Sequence, residues 1–340
     1  MNPRRVLVVD DSAVVRELLL DVIGRDPRLS VIGTAGTGEE ALRLVHKLSP
    51  DVISMDIRLP GLNGFETTQR IMAEKPTPVV VVSASIEAPE LAITMNALRA
   101  GALSVVEKPP GRKHPRFDEL SSQMCTQLAI MSEVQVVTQR RPRVLSVRSP
   151  RAPRGPYSLV GLVTSTGGPS ALTRILGALD ADYPMPVVLV QHIGSTFLDG
   201  FVNWLALQTR MRVRTIQDVE TARAGHLYLP PADRHVRVDG STLRLTAEPL
   251  CCGQRPSGTI LFESMADSLG TKGVGVLLTG MGADGAEGMQ RLCQAGGWTI
   301  AEDPSTAVVY GMPGEAVRLG AVCESLPLGE VGGRLLELAR

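Results

Sequence analysis

The sequence predicts an α/β protein built from two doubly wound units joined by a linker. Three observations predict it. Short β-branched runs alternate with segments whose apolar residues recur every three or four positions. Two such series are separated by an Arg- and Pro-rich stretch. The length, 340 residues, suits two domains rather than one. The expected division is 1–135, a linker over 136–156, and 157–340.

In the first unit, strands are expected at 6–9, 31–33, 52–55, 79–82 and 104–106. Between the first pair, Val14, Val15, Leu18, Leu19 and Val22 lie at helical spacing; Ala41, Leu42, Leu44, Val45 and Leu48 repeat the pattern before the third. A last helix fits Phe117, Leu120, Met124, Leu128 and Met131. Five strands alternating with helices give a doubly wound five-stranded parallel sheet. The linker carries Arg140, Arg141, Arg143, Arg148, Arg151 and Arg154 among prolines and serines. It reads as solvated chain. The alternative is a contact with an acidic partner or with the neighbouring domain.

In the second unit, strands are expected at 159–163, 186–191, 212–215, 225–229, 235–238, 242–245 and 275–278. Helical patterns fall near 171–179, 198–207, 260–269, 285–295 and 314–320. Asp239-Gly240 between two alternating runs signals a hairpin, so the sheet is expected to be mostly, not wholly, parallel.

Bulk properties exclude several classes. Lys plus Arg and Asp plus Glu both number 35, so no net field attracts nucleic acid or an anionic membrane. Aromatic residues make up 3%, too few for base-stacking platforms. Cys125, Cys251, Cys252, Cys293 and Cys323 form no C-x-x-C pair, as expected of reduced thiols in a cytoplasmic protein. No signal-peptide core or bilayer-length apolar run is read, so no direct membrane insertion is expected.

Asp10 and Asp11 end the first strand and Asp56 follows the third. In a parallel sheet they reach one edge. Clustered carboxylates repel and favour a hard divalent cation such as Mg²⁺. Ser83 ends the fourth strand and Lys108 the fifth, adding a hydroxyl and an ammonium, which a phosphoryl group needs. Separate strand-end caps and ion pairs are the plainer reading of each residue alone. Together the five resemble the receiver domains of two-component response regulators, which are flavodoxin-like. The resemblance implies that Asp56 accepts phosphate from a histidine kinase. Asp10, Asp11 and Asp56 would hold Mg²⁺, and Ser83 and Lys108 would contact the phosphoryl group. Val105 stands where receivers usually carry an aromatic switch residue.

A second edge is read from Leu162-Val163-Thr164-Ser165-Thr166-Gly167-Gly168-Pro169, a buried strand ending in hydroxyls and glycines before a helix. Ser165 is either a helix cap or a nucleophile. His192 directly follows the next strand and emerges at the same edge, which makes it the favoured base. Asp284 lies in a Gly-rich turn after another buried run and is the candidate orienting group. The same turn offers the Met281 and Gly282 N–H groups as oxyanion donors, or is a plain tight turn. No Walker lysine, G-x-S-x-G elbow or G-x-G-x-x-G fingerprint accompanies these residues.

Ser165-Thr166-Gly167-Gly168-Pro169, Gln191-His192, Leu278-Thr279-Gly280-Met281-Gly282, Asp284-Gly285 and Val309-Tyr310-Gly311-Met312-Pro313 resemble the catalytic domain of the chemotaxis receptor methylesterases. The resemblance implies a Rossmann-like α/β catalytic domain without a cofactor at its hydrolytic site. It implies nucleophile Ser165, base His192 and orienting Asp284. The substrates would be glutamyl methyl esters, and certain glutamines, of methyl-accepting chemoreceptors. It also implies that the unphosphorylated receiver covers the Ser165 edge. Three places depart from the family pattern: Thr164 before the serine, Pro256-Ser257-Gly258-Thr259 lacking an aspartate, and Pro230-Pro231-Ala232. Thr166, Arg255, Ser257 and His235 are candidate substrate contacts, His235 alternatively a core or loop-organising residue. The expected function is a phosphorylation-activated methylesterase and glutaminase in chemotaxis. The competing readings are a related hydrolase serving a non-flagellar array and a non-enzymatic phospho-switch.

Overall fold

The structure, a computed structural model, describes residues 2–83, 101–134 and 155–340. The chain divides into compact units at 1–140 and 141–340. The linker expected over 136–156 falls almost wholly outside the described residues.

The first unit holds β1 (Arg4–Val9), β2 (Leu29–Ala35), β3 (Val52–Met55), β4 (Val79–Ser83) and β5 (Ser104–Glu107). The order is β2-β1-β3-β4-β5 and every pairing is parallel. All of β3 and β4 is buried, as expected of central parallel strands, and Ser54 and Ser83 are the polar residues in them. Ser12 caps the helix Ala13–Gly24 and Thr37 caps Gly38–Leu48. Apolar periodicity does not reveal the helix Gly64–Glu74, because its buried face includes Thr67 and Thr68. Its sequence signal is the capping box of Asn63 and Glu66.

The second unit contains β6 (Leu159–Thr164), β7 (Val187–Gln191), β8 (Arg212–Thr215), β9 (Val219–Thr221) and β10 (His226–Leu229). It continues through β11 (His235–Asp239), β12 (Thr242–Thr246), β13 (Gly273–Leu277), β14 (Trp298–Glu302) and β15 (Glu324–Leu326). A seven-stranded sheet runs β15-β14-β13-β6-β7-β10-β8, entirely parallel. The antiparallel hairpin at Asp239-Gly240 exists, but it belongs to a separate three-stranded sheet, β11-β12-β9. The expectation of one mixed sheet is corrected accordingly. Strands β9, β14 and β15 are not among those expected from the sequence; β9 is only three residues long and partly exposed, and the other two carry polar positions. Buried polar residues, Thr299 and Glu302 in β14 and Ser325 in β15, interrupt their apolar runs.

In both main sheets the first strand lies inside. β1 sits between β2 and β3, and β6 between β7 and β13. The winding direction reverses at these strands. That reversal opens a crevice beyond their carboxyl ends, where open α/β sheets bind ligands.

Candidate active site and acidic pocket

At the carboxyl edge of the first sheet, Asp10 and Asp56 are nearly fully buried. Lys108 Nζ bridges them, at 2.7 Å from Asp10 Oδ2 and 3.0 Å from Asp56 Oδ2. Carboxylate oxygens of Asp10, Asp11 and Asp56 all lie within 4.8 Å of one another. Burial pushes the Asp56 carboxyl up, and the Asp10 charge adds to this. Lys108 and the Ile57 N–H oppose the rise without cancelling it. Burial pushes the Lys108 ammonium down, but Asp56 and Asp10 outweigh it and keep Lys108 charged. Ser83 is buried at the end of β4, and its carbonyl accepts from Lys108 N at 2.9 Å. The five residues selected from sequence therefore lie along one edge of the sheet. Val105 lies in β5, paired with Val81.

At the second edge, Thr164 and Gln191 are register partners, so Ser165 and His192 leave adjacent strands side by side. Their main chains are pinned: His192 N donates to Thr164 O at 3.0 Å, and Ser165 N to Thr279 O at 3.0 Å. The Gln191 amide donates to Ser165 O at 2.9 Å and to His192 O at 3.0 Å, clamping both residues. The two glycines after Thr166 serve this arrangement. Gly167 takes φ of 78°, which glycine adopts without strain. A Cβ on Gly168 would come within 2.2 Å of Gln191 Oε1 and displace the clamp. Ser165 caps no N–H of the helix Gly168–Leu176, whose N-cap is Gly167.

His192 Nε2 lies 2.8 Å from Asp284 Oδ2. An ionised carboxylate only accepts, so Nε2 is the donor in this contact and Nδ1 is the ring nitrogen that faces away from Asp284. Asp284 is held by three further donors. Ser257 Oγ reaches Oδ1 at 2.5 Å, Gly258 N reaches Oδ2 at 2.7 Å, and Thr259 N reaches Oδ1 at 3.1 Å. Burial pushes this carboxyl up, but His192, Ser257 and the Gly258 N–H outweigh it and hold it below its usual range.

Two candidate substrate contacts are corrected. Ser257 and His235 have no exposed surface. Ser257 N donates to His235 Nδ1 at 3.2 Å, and His235 Nε2 faces Pro249 O at 3.1 Å. They stand behind Asp284 as a brace. Arg255 lies at the surface, its Nε 2.7 Å from Asp233 Oδ1. With Gln191, Ile193, Pro230 and Asp233 it lines a cavity of about 260 Å³ beside the His192 segment. Thr166 is half-buried, its carbonyl accepting from Thr279 Oγ1 at 2.9 Å.

The turn after β13 is braced by the 309–312 segment. Gly280 N donates to Val309 O, and Gly280 O accepts from Gly311 N and Met312 N. The N–H groups of Met281 and Gly282 have no acceptor among the described residues, as open oxyanion donors require.

A profile of the CheB methylesterase family matches residues 160–335, and one of the response regulator receiver domain matches 6–114. This chain belongs to the CheB methylesterase family. It is 51% identical to protein-glutamate methylesterase/protein-glutamine glutaminase 2 of Paramagnetospirillum magneticum, covering 98% of this chain and 97% of the relative. Identity to protein-glutamate methylesterase/protein-glutamine glutaminase 4 of Geobacter metallireducens is 41%, covering 98% and 99%. Among solved structures, the Thermotoga maritima CheB methylesterase catalytic domain overlays with a TM-score of 0.52 at 30% identity. That match covers 54% of this chain and all of the other.

Within this CheB-family chain, sequence reasoning missed the residues that hold the site from behind. In the sequence Gln191 and Thr279 are members of the family motifs with no role of their own. Thr279 joins the Ser165 loop, Val309 and Glu302, whose Oε2 accepts Thr279 N at 2.8 Å. Glu302 is wholly buried, and burial pushes its carboxyl up to about 7, partly offset by Thr279 and Thr306. Its usual value is 4.5. A raised folded-state value makes its contribution to stability complete below pH 4.5 and lost as pH rises through about 7. That loss is worth roughly 3 kcal/mol, at about 1.4 kcal/mol per tenfold. Glu302→Gln, which keeps an acceptor for Thr279 N, is expected to remove this fall. Thermal melts at pH 5 and pH 8 check it; an unchanged pH difference in the variant refutes the assignment.

Proposed function

We propose that this CheB-family chain is a phosphorylation-activated protein-glutamate methylesterase and protein-glutamine glutaminase acting on chemoreceptors. The observation that carries the reading is the Asp284–His192 pair, formed beside Ser165 at the strand reversal of the second sheet. In this reading His192 Nδ1 takes the Ser165 proton as Oγ attacks the γ-carbonyl of a glutamyl methyl ester. The Met281 and Gly282 N–H groups receive the oxyanion. His192 gives the proton to the leaving methoxy oxygen, releasing methanol, or to the leaving amide nitrogen, releasing ammonia, when the substrate is a glutamine. Water, deprotonated by the same nitrogen, then attacks the acyl-Ser165 ester; the proton passes from His192 to the departing Ser165 Oγ, and the glutamate is freed.

Residues 1–135 form the control unit in this proposal and 157–340 the hydrolase. Asp56 accepts phosphate from a histidine kinase, with Lys108 and Ser83 beside the transferred group. The all-carboxylate donor set of Asp10, Asp11 and Asp56 fits Mg²⁺, a hard cation that selects oxygen ligands. When bound, Mg²⁺ neutralises charge on the phosphoryl oxygens. No helix among the described residues is long and apolar enough to cross a membrane. All five cysteines are free of disulfides. Both fit a place in the cytoplasm, where receptor signalling helices and kinase are met.

The test is methanol release from methylated receptors, with and without Mg²⁺ and a small-molecule phosphodonor. Release that rises with the phosphodonor is expected. Asp56→Asn is expected to abolish the rise and keep the basal rate. No methanol under either condition overturns the hydrolase reading, and stimulation surviving in Asp56→Asn overturns its control. The non-enzymatic alternative is disfavoured by the intact Asp284–His192 hydrogen bond.

A further inference from the structure

Cys251 and Cys252 precede the segment that cradles Asp284. Cys251 N donates to Gln254 O at 3.1 Å and Gln254 N to Cys251 O at 2.9 Å, closing a two-residue turn. Its central residues are Cys252, with φ of 52°, and Gly253, with φ of 73°. Glycine and asparagine fill such positions readily, whereas a cysteine there costs about 1 kcal/mol. In an extended chain adjacent side chains point to opposite faces. Here the turn brings both thiols to one side. Ligand atoms of Cys251, Cys252 and Asp284 all lie within 4.8 Å of one another. Cys252 is exposed and Cys251 half-buried, so the cluster can be reached from solvent, whereas Asp284 is buried.

We propose that Cys251, Cys252 and Asp284 form an inhibitory site for a thiophilic divalent cation, Zn²⁺ being the physiological candidate. The proposal rests on the catalytic reading of Asp284 given above. Two thiolates and one carboxylate suit Zn²⁺ or Co²⁺ in tetrahedral geometry, with water in the fourth position. Binding releases two thiol protons to solvent, so the pair of thiolates balances the charge of the ion. Both Asp284 oxygens already accept two hydrogen bonds each. The ion therefore competes with His192 and the cradle for the same lone pairs. Ligation draws Asp284 away from His192 Nε2 and leaves the imidazole unoriented. The metal is an inhibitor here and takes no part in the hydrolysis.

The test uses the full chain with excess Mg²⁺, which occupies the acidic pocket of the first unit. Co²⁺ is the probe, because only thiolate ligation gives it an intense near-ultraviolet charge-transfer band. We expect the band in the wild-type chain and its loss in the Cys251→Ser/Cys252→Ser double variant. Cys293→Ser/Cys323→Ser should retain it. Asp284→Asn should weaken Co²⁺ binding by about tenfold or more. Zn²⁺ should lower methanol release in the wild type, and the ratio with and without Zn²⁺ should return to one in the double cysteine variant. No band in the wild type, or a band that survives the double substitution, overturns the site. A band with Zn²⁺-insensitive methanol release overturns the coupling to Asp284. The Co²⁺ readout needs no substrate, so failure of the esterase reading would leave the metal result standing.

Discussion

Replacing Ser165 by alanine is expected to lower methanol release from methylated receptors by about 10⁴-fold or more. The hydroxyl supplies the only bond-forming oxygen in the proposed acyl transfer. Without it, the oxyanion donors and the His192 base can accelerate only direct attack by water, a residual effect of about 10³–10⁴ over solution. Fold and stability should barely change. Ser165 is held through its main chain by Thr279 O and the Gln191 amide, and alanine keeps both contacts. A melting temperature within a few degrees of wild type would thus accompany the loss. The informative failure is a stable Ser165→Ala chain that still demethylates at near wild-type rate. That result would move the nucleophile elsewhere.

The second large effect is expected at Asp284. Asn at this position should reduce turnover by about 10⁴-fold, because an amide can hold the imidazole in the wrong tautomer. Unlike the serine, this residue also bears on stability. Its two oxygens accept from His192, Ser257, Gly258 and Thr259. An asparagine NH₂ must face at least one of these donors and leaves a buried polar group unmatched, at about 1–3 kcal/mol. The carboxyl sits below its usual 3.8 in the folded chain. Its contribution is therefore present above that value and lost as pH falls through the folded-state value, further into acid. Asp284→Asn should be less stable than wild type at pH 7, with the difference narrowing below about pH 4. Urea melts at both pH values decide this. A stability gap that widens in acid would mean that the carboxylate is not the favoured form.

Much of the fold was legible because it rests on signals local in sequence. The buried parallel strands announce themselves as apolar runs, and their carboxyl ends carry Asp10, Asp56, Ser165 and His192. Position at a strand end converts a one-dimensional pattern into a shared edge, so residues far apart in sequence could be grouped. What stayed hidden depends on contacts between segments. Ser257 is a candidate substrate contact in the sequence, and His235 either such a contact or a core or loop-organising residue. Only the packed structure shows them sealed behind Asp284. Glu302 belongs to none of the sequence motifs, and its burial beside Thr279 has no local signature. The hairpin was read correctly, but its turn chemistry could not say which sheet it joins.

The choice of nitrogen on His192 has a mechanical consequence. Nδ1 is separated from the main chain by fewer bonds than Nε2. The proposed proton acceptor thus rides close to the backbone, while the far nitrogen is tethered to Asp284. The tether at Nε2 fixes the rotation of the ring, and the seam between β6 and β7 fixes the main chain from which it hangs, so the seam and the tether together place the base. Small distortions of that seam should therefore appear as slower turnover with unaltered substrate affinity. An alkylating inhibitor that reaches this ring should leave its mark on the nitrogen nearest the peptide chain. Protein chemists could read that mark by mass spectrometry of the modified histidine, as a signature of the ring's orientation.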